Sequence, residues 1–343
     1  MFDWEDTAFG EEITYSTFGC DVFKADPQTP DRLEPDVHIY REGAEKLDRI
    51  APDGRRIRFW TFRDTDPAAP NQRVTHPAPE IRVTQGQIVH THLTTSTGPH
   101  TIHHHGIEPT TANDGVGHVS FEVGDGYTYQ WQPARAGSFF YHCHRNTALH
   151  FELGMWGPLI VEAPDQGDGK KRLYEDGPTY DSEMTWVAHA VDPRWHLIQD
   201  HDAGLCGLDV GLNRYEPKYF MLSGVWGNRA HYDPTTLIKA QVGERVLIRL
   251  LNASYTILRV KFTCPIEIVA ADGHSWGRET WCPTTRRVPA NTVLELVTAQ
   301  RYDIIVEPTK TGHFPVFMQF RHWITNKVHD NGKGQLKAKV RVT

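Results

Sequence analysis

Short runs in which apolar and polar residues alternate recur along the chain. Examples are IRVTQGQIVHTHLTT (Ile81 to Thr95), FEVGDGYTYQW (Phe121 to Trp131), GPLIVEAP (Gly157 to Pro164), VLIRLLNAS (Val246 to Ser254) and RYDIIVEP (Arg301 to Pro308), each close to Gly, Pro, Asn or Asp. Alternation over so few residues puts successive side chains on opposite faces of a strand, and long helical periodicity is scarce. The pattern predicts an all-β protein built from sandwiches or barrels.

The pattern also repeats. VTQGQIVHTHLTTS aligns with AQVGERVLIRLLNA when Gly86 is laid on Gly243, GPHTIHHHG with ASYTILRVK, and AGSFFYHCH with TGHFPVFMQ when Gly137 is laid on Gly312. A duplicated β-domain follows. The polar, turn-rich PDQGDGKKRLYEDGP, Pro164 to Pro178, reads as an interdomain linker. It divides the chain into a first domain at 56–164, a linker at 165–178 and a second domain at 179–343, with 1–55 as a less regular extension wrapping the first domain.

The two copies differ in chemistry. His100, His103 and His105 align with Tyr255, Leu258 and Val260, and His142, Cys143 and His144 with Phe317, Met318 and Gln319. A polar cluster present in only one of two equivalent folds is not a folding requirement.

Composition narrows the function. The 343 residues carry a formal charge of -7 and no Lys/Arg-rich block, which argues against nucleic acid as the main partner. No apolar run approaches the roughly 20 residues of a membrane span, and the acidic start MFDWEDTAFGEE is not a signal peptide. Compartment stays open: secreted or periplasmic if a leader has been removed, cytoplasmic otherwise. The five cysteines leave four once Cys143 is set aside for chemistry, and these are either two disulfides, with Cys264–Cys282 the first pair to test, or buried free thiols.

The unusual feature is the 20 histidines. As strands, HTIHHHG puts His103 and His105 on one face with His104 opposite, and YHCH puts His142 and His144 on one face with Cys143 opposite. Imidazole and thiolate with a weak thioether are a donor set that copper selects, a His/His/Cys trigonal set with a distant Met being the blue-copper arrangement. Cys143, His150 and Met155 sit at loop spacing and His100 supplies the second nitrogen, so a complete mononuclear copper site is present. His90 and His92 in VHTHL read as solvent-facing strand positions, and nothing close to His196 and His201 completes a site. Asn252-Ala253-Ser254 fits a glycosylation sequon but ends a strand.

HTIHHHG resembles the His-Pro-x-His-x-His-Gly motif of the multicopper oxidases, with Thr101 where Pro is usual. HCHRNTALHFELGM resembles their His-Cys-His…His…Met motif, and VAADG with AQRYDIIVEP resembles a copper-free domain of the same family. The resemblance implies two tandem cupredoxin-like Greek-key β-sandwich domains. It implies type 1 copper on His100, Cys143, His150 and Met155, taking electrons from a small-molecule reductant. It implies a type 2/type 3 copper site on His103, His105, His142 and His144 that reduces O2, with the electron path, and so the catalytic segment, at His142-Cys143-His144.

Two departures qualify it. The step from Cys143 to His150 is seven positions, longer than in typical laccases and nearer to copper nitrite reductases. The remaining cluster ligands come, in two-domain members, from a neighbouring subunit of a homotrimer, and their expected places here hold Phe317 and Gln319. His322 is the leading substitute; His313, His274 and His329 are weaker. The alternatives are a nitrite-reductase-like enzyme, opposed by His103 standing where those enzymes have Asp and by His144 after Cys143, and a non-enzymatic blue-copper electron carrier with a degenerate cluster.

Overall fold

The computed structural model describes residues 34–70, 72–116, 122–198, 211–279 and 281–343. Cys20, Cys206 and His201 lie outside the described residues.

In the first half the strands are β1 (Val37–Ile50), β2 (Arg56–Asp64), β3 (Ile81–Thr84), β4 (Val89–Thr95), β5 (His103–His105), β6 (Gly126–Trp131), β7 (Gly137–His142) and β8 (Trp156–Glu162), with one short helix, α1 (Thr147–Leu153), between β7 and β8. They form two four-stranded sheets, β2-β1-β4-β6 and β3-β8-β7-β5. Between them pack Val89, Leu93, Tyr129 and Trp131 against Ile81, Phe139, Tyr141 and Leu159. Residues 37–50, expected in an extension, form β1, which runs parallel to β4 and antiparallel to β2. A bulge between Glu42 and Glu45 shifts the register within β1, and such a shift breaks the alternation by which a strand is recognised.

The second half opens with a small hairpin, β9 (Lys171–Arg172) and β10 (Thr179–Tyr180). Leu173 and Tyr174, in the expected linker, are buried on Leu247, Val269 and Ile305, so this stretch packs onto the second sandwich. There follow β11 (Ser182–Val191), β12 (Tyr219–Leu222), β13 (Val225–Trp226), β14 (Leu237–Ala240), β15 (Val246–Asn252), β16 (Ile257–Phe262), β17 (Ile266–Ala271), β18 (His274–Ser275), β19 (Arg286–Val288), β20 (Val293–Leu296), β21 (Arg301–Val306), β22 (Gly312–Arg321) and β23 (Gln335–Val342). One sheet is ordered β13-β12-β11-β15-β21-β17-β18, with β19 on β17; the other is β14-β23-β22-β16-β20.

The duplication is visible in the pairings. β1 lies parallel to β4 as β11 does to β15, β3 parallel to β8 as β14 does to β23, and β7 antiparallel to β8 as β22 does to β23. Gly86 and Gly243 share positive φ angles of 85° and 82°, and Gly137 and Gly312 angles of 152° and 145°.

Register corrects one part of the alignment. β5 sets His103 opposite His142, whereas β16 sets Lys261 opposite Phe317. With Phe317 in the place of His142, the counterparts of His103 and His105 are therefore Lys261 and Thr263, not Leu258 and Val260, a slip of three residues. Facing agrees: Ile102 points into the first core, as do Leu258, Val260 and Phe262 into the second, while His103 and Lys261 point out. The outward face that carries histidines in the first copy carries Phe317 between the ammonium groups of Lys261 and Lys337 in the second.

Cys264 and Cys282 are free thiols, which corrects the tested pairing. Cys264 is packed inside the second sandwich, whereas Cys282 lies in a half-exposed turn bridged to Glu279, so the two side chains serve different surroundings. Among the described residues no helix is long and apolar enough to cross a membrane.

The halves meet through Phe140, Phe151 and Trp156 of the first against Val187, Leu251 and Ala253 of the second. Beside this apolar patch, Arg249 donates to the hydroxyl of Ser138, which also bonds the buried carboxylate of Asp303. The helix α1 is thereby held against the second half. Tyr255 donates to the carbonyl of Thr147 at 3.1 Å, and the Glu152 carboxylate accepts the N–H of Asp192 at 2.6 Å and the hydroxyl of Tyr215 at 3.0 Å.

Candidate metal centre

The centre is built on the end of β7. Alternation turns Phe139, Tyr141 and Cys143 into the first core, and sends His142 the other way. After His144 the chain turns, with Arg145 paired to the nearly buried Glu122 at 2.9 Å, and enters α1 from a left-handed Asn146. Gly154, with φ of 111°, ends the helix, and its N–H returns to the carbonyls of His150 and Phe151. Met155 then ties the segment together: its N–H donates to His150 and its carbonyl accepts from Cys143, both at 3.0 Å.

On the inner side His100, Cys143 and His150 bring one ligand atom each within 4.8 Å of one another, all buried. Sγ of Cys143 lies 3.3 Å from Nδ1 of His150 and 3.8 Å from Nδ1 of His100. Met155 is fully buried in the same apolar core as Cys143. Burial pushes the Cys143 thiol up to about 11, holds His100 down at about 3 and keeps His150 well below its ordinary value. Both imidazoles are therefore neutral with lone pairs to give. The thiol would lose its proton to a bound cation, whose charge outweighs the burial. Two Nδ1 atoms and one sulfur converging in a dry core fit a soft ion of the copper type.

On the outer side His103, His105 and His142 form a second group within 4.8 Å. His142 donates from Nδ1 to the Cys143 carbonyl at 2.9 Å, which leaves its Nε2 facing Nδ1 of His105 at 3.4 Å. The ring of His144 is 5.5 Å from that of His142 and 5.4 Å from that of His103. His104 points the opposite way, into the core, onto the Thr91 hydroxyl at 3.0 Å. Burial and the neighbouring Arg301 hold His105 at about 3. His103 and His105 also line an open cavity of about 370 Å³ with Glu108, Pro109, Thr111 and Asp114.

Several supporting residues were not readable from motif spacing. Asp114 orients His103: its carbonyl lies 2.7 Å and its carboxylate 3.2 Å from Nδ1. Gly115 lets this loop touch the histidine strand, because a Cβ there would fall 1.9 Å from the Ile102 carbonyl oxygen. Thr101, in the family's proline position, accepts the N–H of His144 on its hydroxyl at 2.8 Å. The Asp-Gly pair at Asp114 and Gly115 was the one available signal, a turn former eleven residues after His103.

The remaining histidines divide. His322 is not part of either cluster within this chain: its Nδ1 accepts the N–H groups of Ile324 and Thr325, and with His329 it lines a separate cavity of about 910 Å³ beside α1. His313 is exposed on β22, and His274 contacts Arg135 and Glu279. His90, expected to face solvent, is 2% exposed, because His38 and Gln130 flank it on the adjoining strands. His196, expected to stand alone, is buried near Glu152 and shares Phe59 with His76. These partners come from distant parts of the chain. Asn252 and Ser254 are buried and bonded to each other, as the strand-end reading of the sequon requires.

Comparison with known proteins agrees with the geometry. The family profile described as multicopper oxidase matches residues 70–166. Copper resistance protein A of Pseudomonas syringae pv. tomato is 33% identical over 285 residues, covering 71% of this chain and 43% of that protein. Laccase-2 of Cryptococcus neoformans var. grubii is 31% identical over 250 residues, 68% of this chain and 39% of that one. The chain thus spans less than half the length of these relatives. The blue copper oxidase of Nitrosomonas europaea superposes with a TM-score of 0.64 at 21% identity, over 89% of this chain and 85% of that one, and shows the shared cupredoxin fold. Residues 70–166, which hold both histidine groups and Cys143, therefore belong to the multicopper oxidase family, whose members bind copper.

Proposed function

We propose that the chain is a copper-dependent oxidoreductase that couples oxidation of a small-molecule reductant to reduction of O2. One observation carries the reading: His142, Cys143 and His144 are consecutive, and they reach two different donor groups on opposite sides of one strand end. His100, Cys143 and His150, together with the thioether of Met155, would hold type 1 copper; His103, His105, His142 and His144 would hold the chain's share of a type 2/type 3 site. Bound copper supplies one-electron transfer at the first site and O2 reduction at the second.

The residues do the rest. Burial of Cys143, His100 and His150 keeps water off the first group and fixes its donors before metal arrives. The backbone from Cys143 to either flanking histidine is the shortest covalent route between the groups, and the bond from His142 Nδ1 to the Cys143 carbonyl adds a second contact along it. His103 stands where nitrite reductases have Asp and His144 follows Cys143, which favours the oxidase over the reductase reading. The open cavity at His103 and His105 is where a neighbouring subunit of a homotrimer would add the missing ligands.

Copper counting joined to EPR, sedimentation and oxygen uptake tests this. The oxidase has more than one copper per chain, a strong visible band, a trimeric mass and O2 consumption with phenols. A fully loaded protein with one copper per chain and no O2 uptake is an electron carrier and ends the proposal.

A further inference from the structure

We propose that His38, His90 and His92 form a separate binding site for a divalent transition-metal ion, Zn2+ or Cu2+, on the outer face of the first sandwich. β1 and β4 run parallel with His38 opposite His90 and Tyr40 opposite His92. Between the two histidines of β4, Thr91 turns its hydroxyl inward to His104 and the Trp131 indole, so His90 and His92 leave the opposite face together. One ligand atom from each of the three lies within 4.8 Å of the others.

Each ring is already oriented. Nε2 of His90 bonds the Gln130 side-chain oxygen at 3.0 Å, and because that oxygen only accepts, the proton sits on Nε2 and Nδ1 carries a lone pair. Nδ1 of His92 bonds the Thr128 hydroxyl at 2.9 Å, which turns Nε2 toward Nδ1 of His38, 2.8 Å away. Outer partners of this kind fix tautomer and ring direction at metal-binding histidines. Two nitrogens on one tetrahedral Zn2+ at 2.0–2.1 Å are about 3.3 Å apart, so a slight opening of the His38–His92 pair admits an ion. Tyr40 stacks on His92 at 4.6 Å and closes one flank, while exposed His38 leaves an entry and a position for water. Three imidazoles without thiolate or carboxylate suit Zn2+ or Cu2+ and not Ca2+ or Mg2+.

The test uses the full chain, loaded with copper and dialysed against a weak chelator until only the copper of the visible band remains. Zn2+ and, separately, Cu2+ are then titrated by calorimetry into wild type, His38→Ala and Gln130→Ala. His38 is exposed and lies outside the copper groups, so its replacement leaves fold and visible band unchanged. The expected result is one further ion per chain in wild type, beyond what the His103, His105 and His142 group takes up equally in all three proteins, bound at least about tenfold more weakly in both variants, the loss that removal of even an outer partner causes. No additional ion of either metal, or binding of equal strength in His38→Ala, overturns the site.

Discussion

The hydroxyl of Thr101 accepts the backbone N–H of His144 at 2.8 Å, and through that bond the segment carrying His100 and His103 is fastened to the strand end carrying Cys143. Each donor group draws histidines from both segments, so this contact, together with the β5–β7 pairing, helps set the spacing of both. Thr101 is fully buried. Thr101→Val keeps the shape and strands the His144 N–H without an acceptor, at a cost of about 1–3 kcal/mol in unfolding by urea. Thr101→Ser keeps the acceptor and should recover most of that loss. Equal stability of the Val and Ser variants would show that the bond contributes nothing.

Cys143→Ser separates ligand from fold. The hydroxyl is close in size to the thiol but is a hard, weakly acidic donor, so the strong visible band and turnover should both vanish. Copper on the outer group should persist, since His142 and His144 keep their backbone. Metal analysis and EPR of the variant check this: a remaining blue band would remove Cys143 from the first group.

How much of this was readable beforehand depended on how local each cause is. Strand alternation is a property of neighbouring residues, so the opposite facing of Cys143 and its two flanking histidines was legible from YHCH alone. β1 was not, because its bulge at Glu42 and Glu45 breaks the period. Partners set by register across strands, such as Gln130 for His90 or Asp114 for His103, have no sequence-local signature. The three-residue slip that put Leu258 in place of Lys261 has the same origin: similarity of letters fixed the alignment, whereas inward and outward facing fixes the strand.

Asp114 and Gly115 offer a test confined to the outer group. Asp114→Ala removes the carboxylate 3.2 Å from His103 while the backbone contact remains, so metal on the outer group should weaken by about 10–100-fold. Gly115→Ala drives a Cβ into the Ile102 carbonyl and should displace the loop, with a larger loss. In both variants the visible band, which the proposal assigns to the inner group, should stay. Loss of the band together with the outer copper would mean that the two groups do not assemble independently.

The last prediction concerns acid. His189 and His196 are buried and belong to neither donor group, and burial holds each at about 4, below the ordinary 6.5. Their neighbour His76 is likewise held well below its ordinary value by burial, with the charges of His189 and Arg49 adding to it. At His189 and His196 the unfolded chain binds protons from pH 6.5 downward while the folded chain does not until about pH 4. Stability is therefore fully present above pH 6.5 and is lost as pH falls toward 4, by on the order of 3 kcal/mol for each of His189 and His196. His76 packs its ring against Phe59, Trp156 and His189. His76→Phe keeps that ring contact and removes one titrating group, so the metal-free variant should show a shallower fall in urea midpoint between pH 6.5 and 4 than metal-free wild type. The comparison is made without copper because bound metal adds its own proton linkage. Parallel pH profiles for the two proteins would rule out His76 as a source of the acid sensitivity.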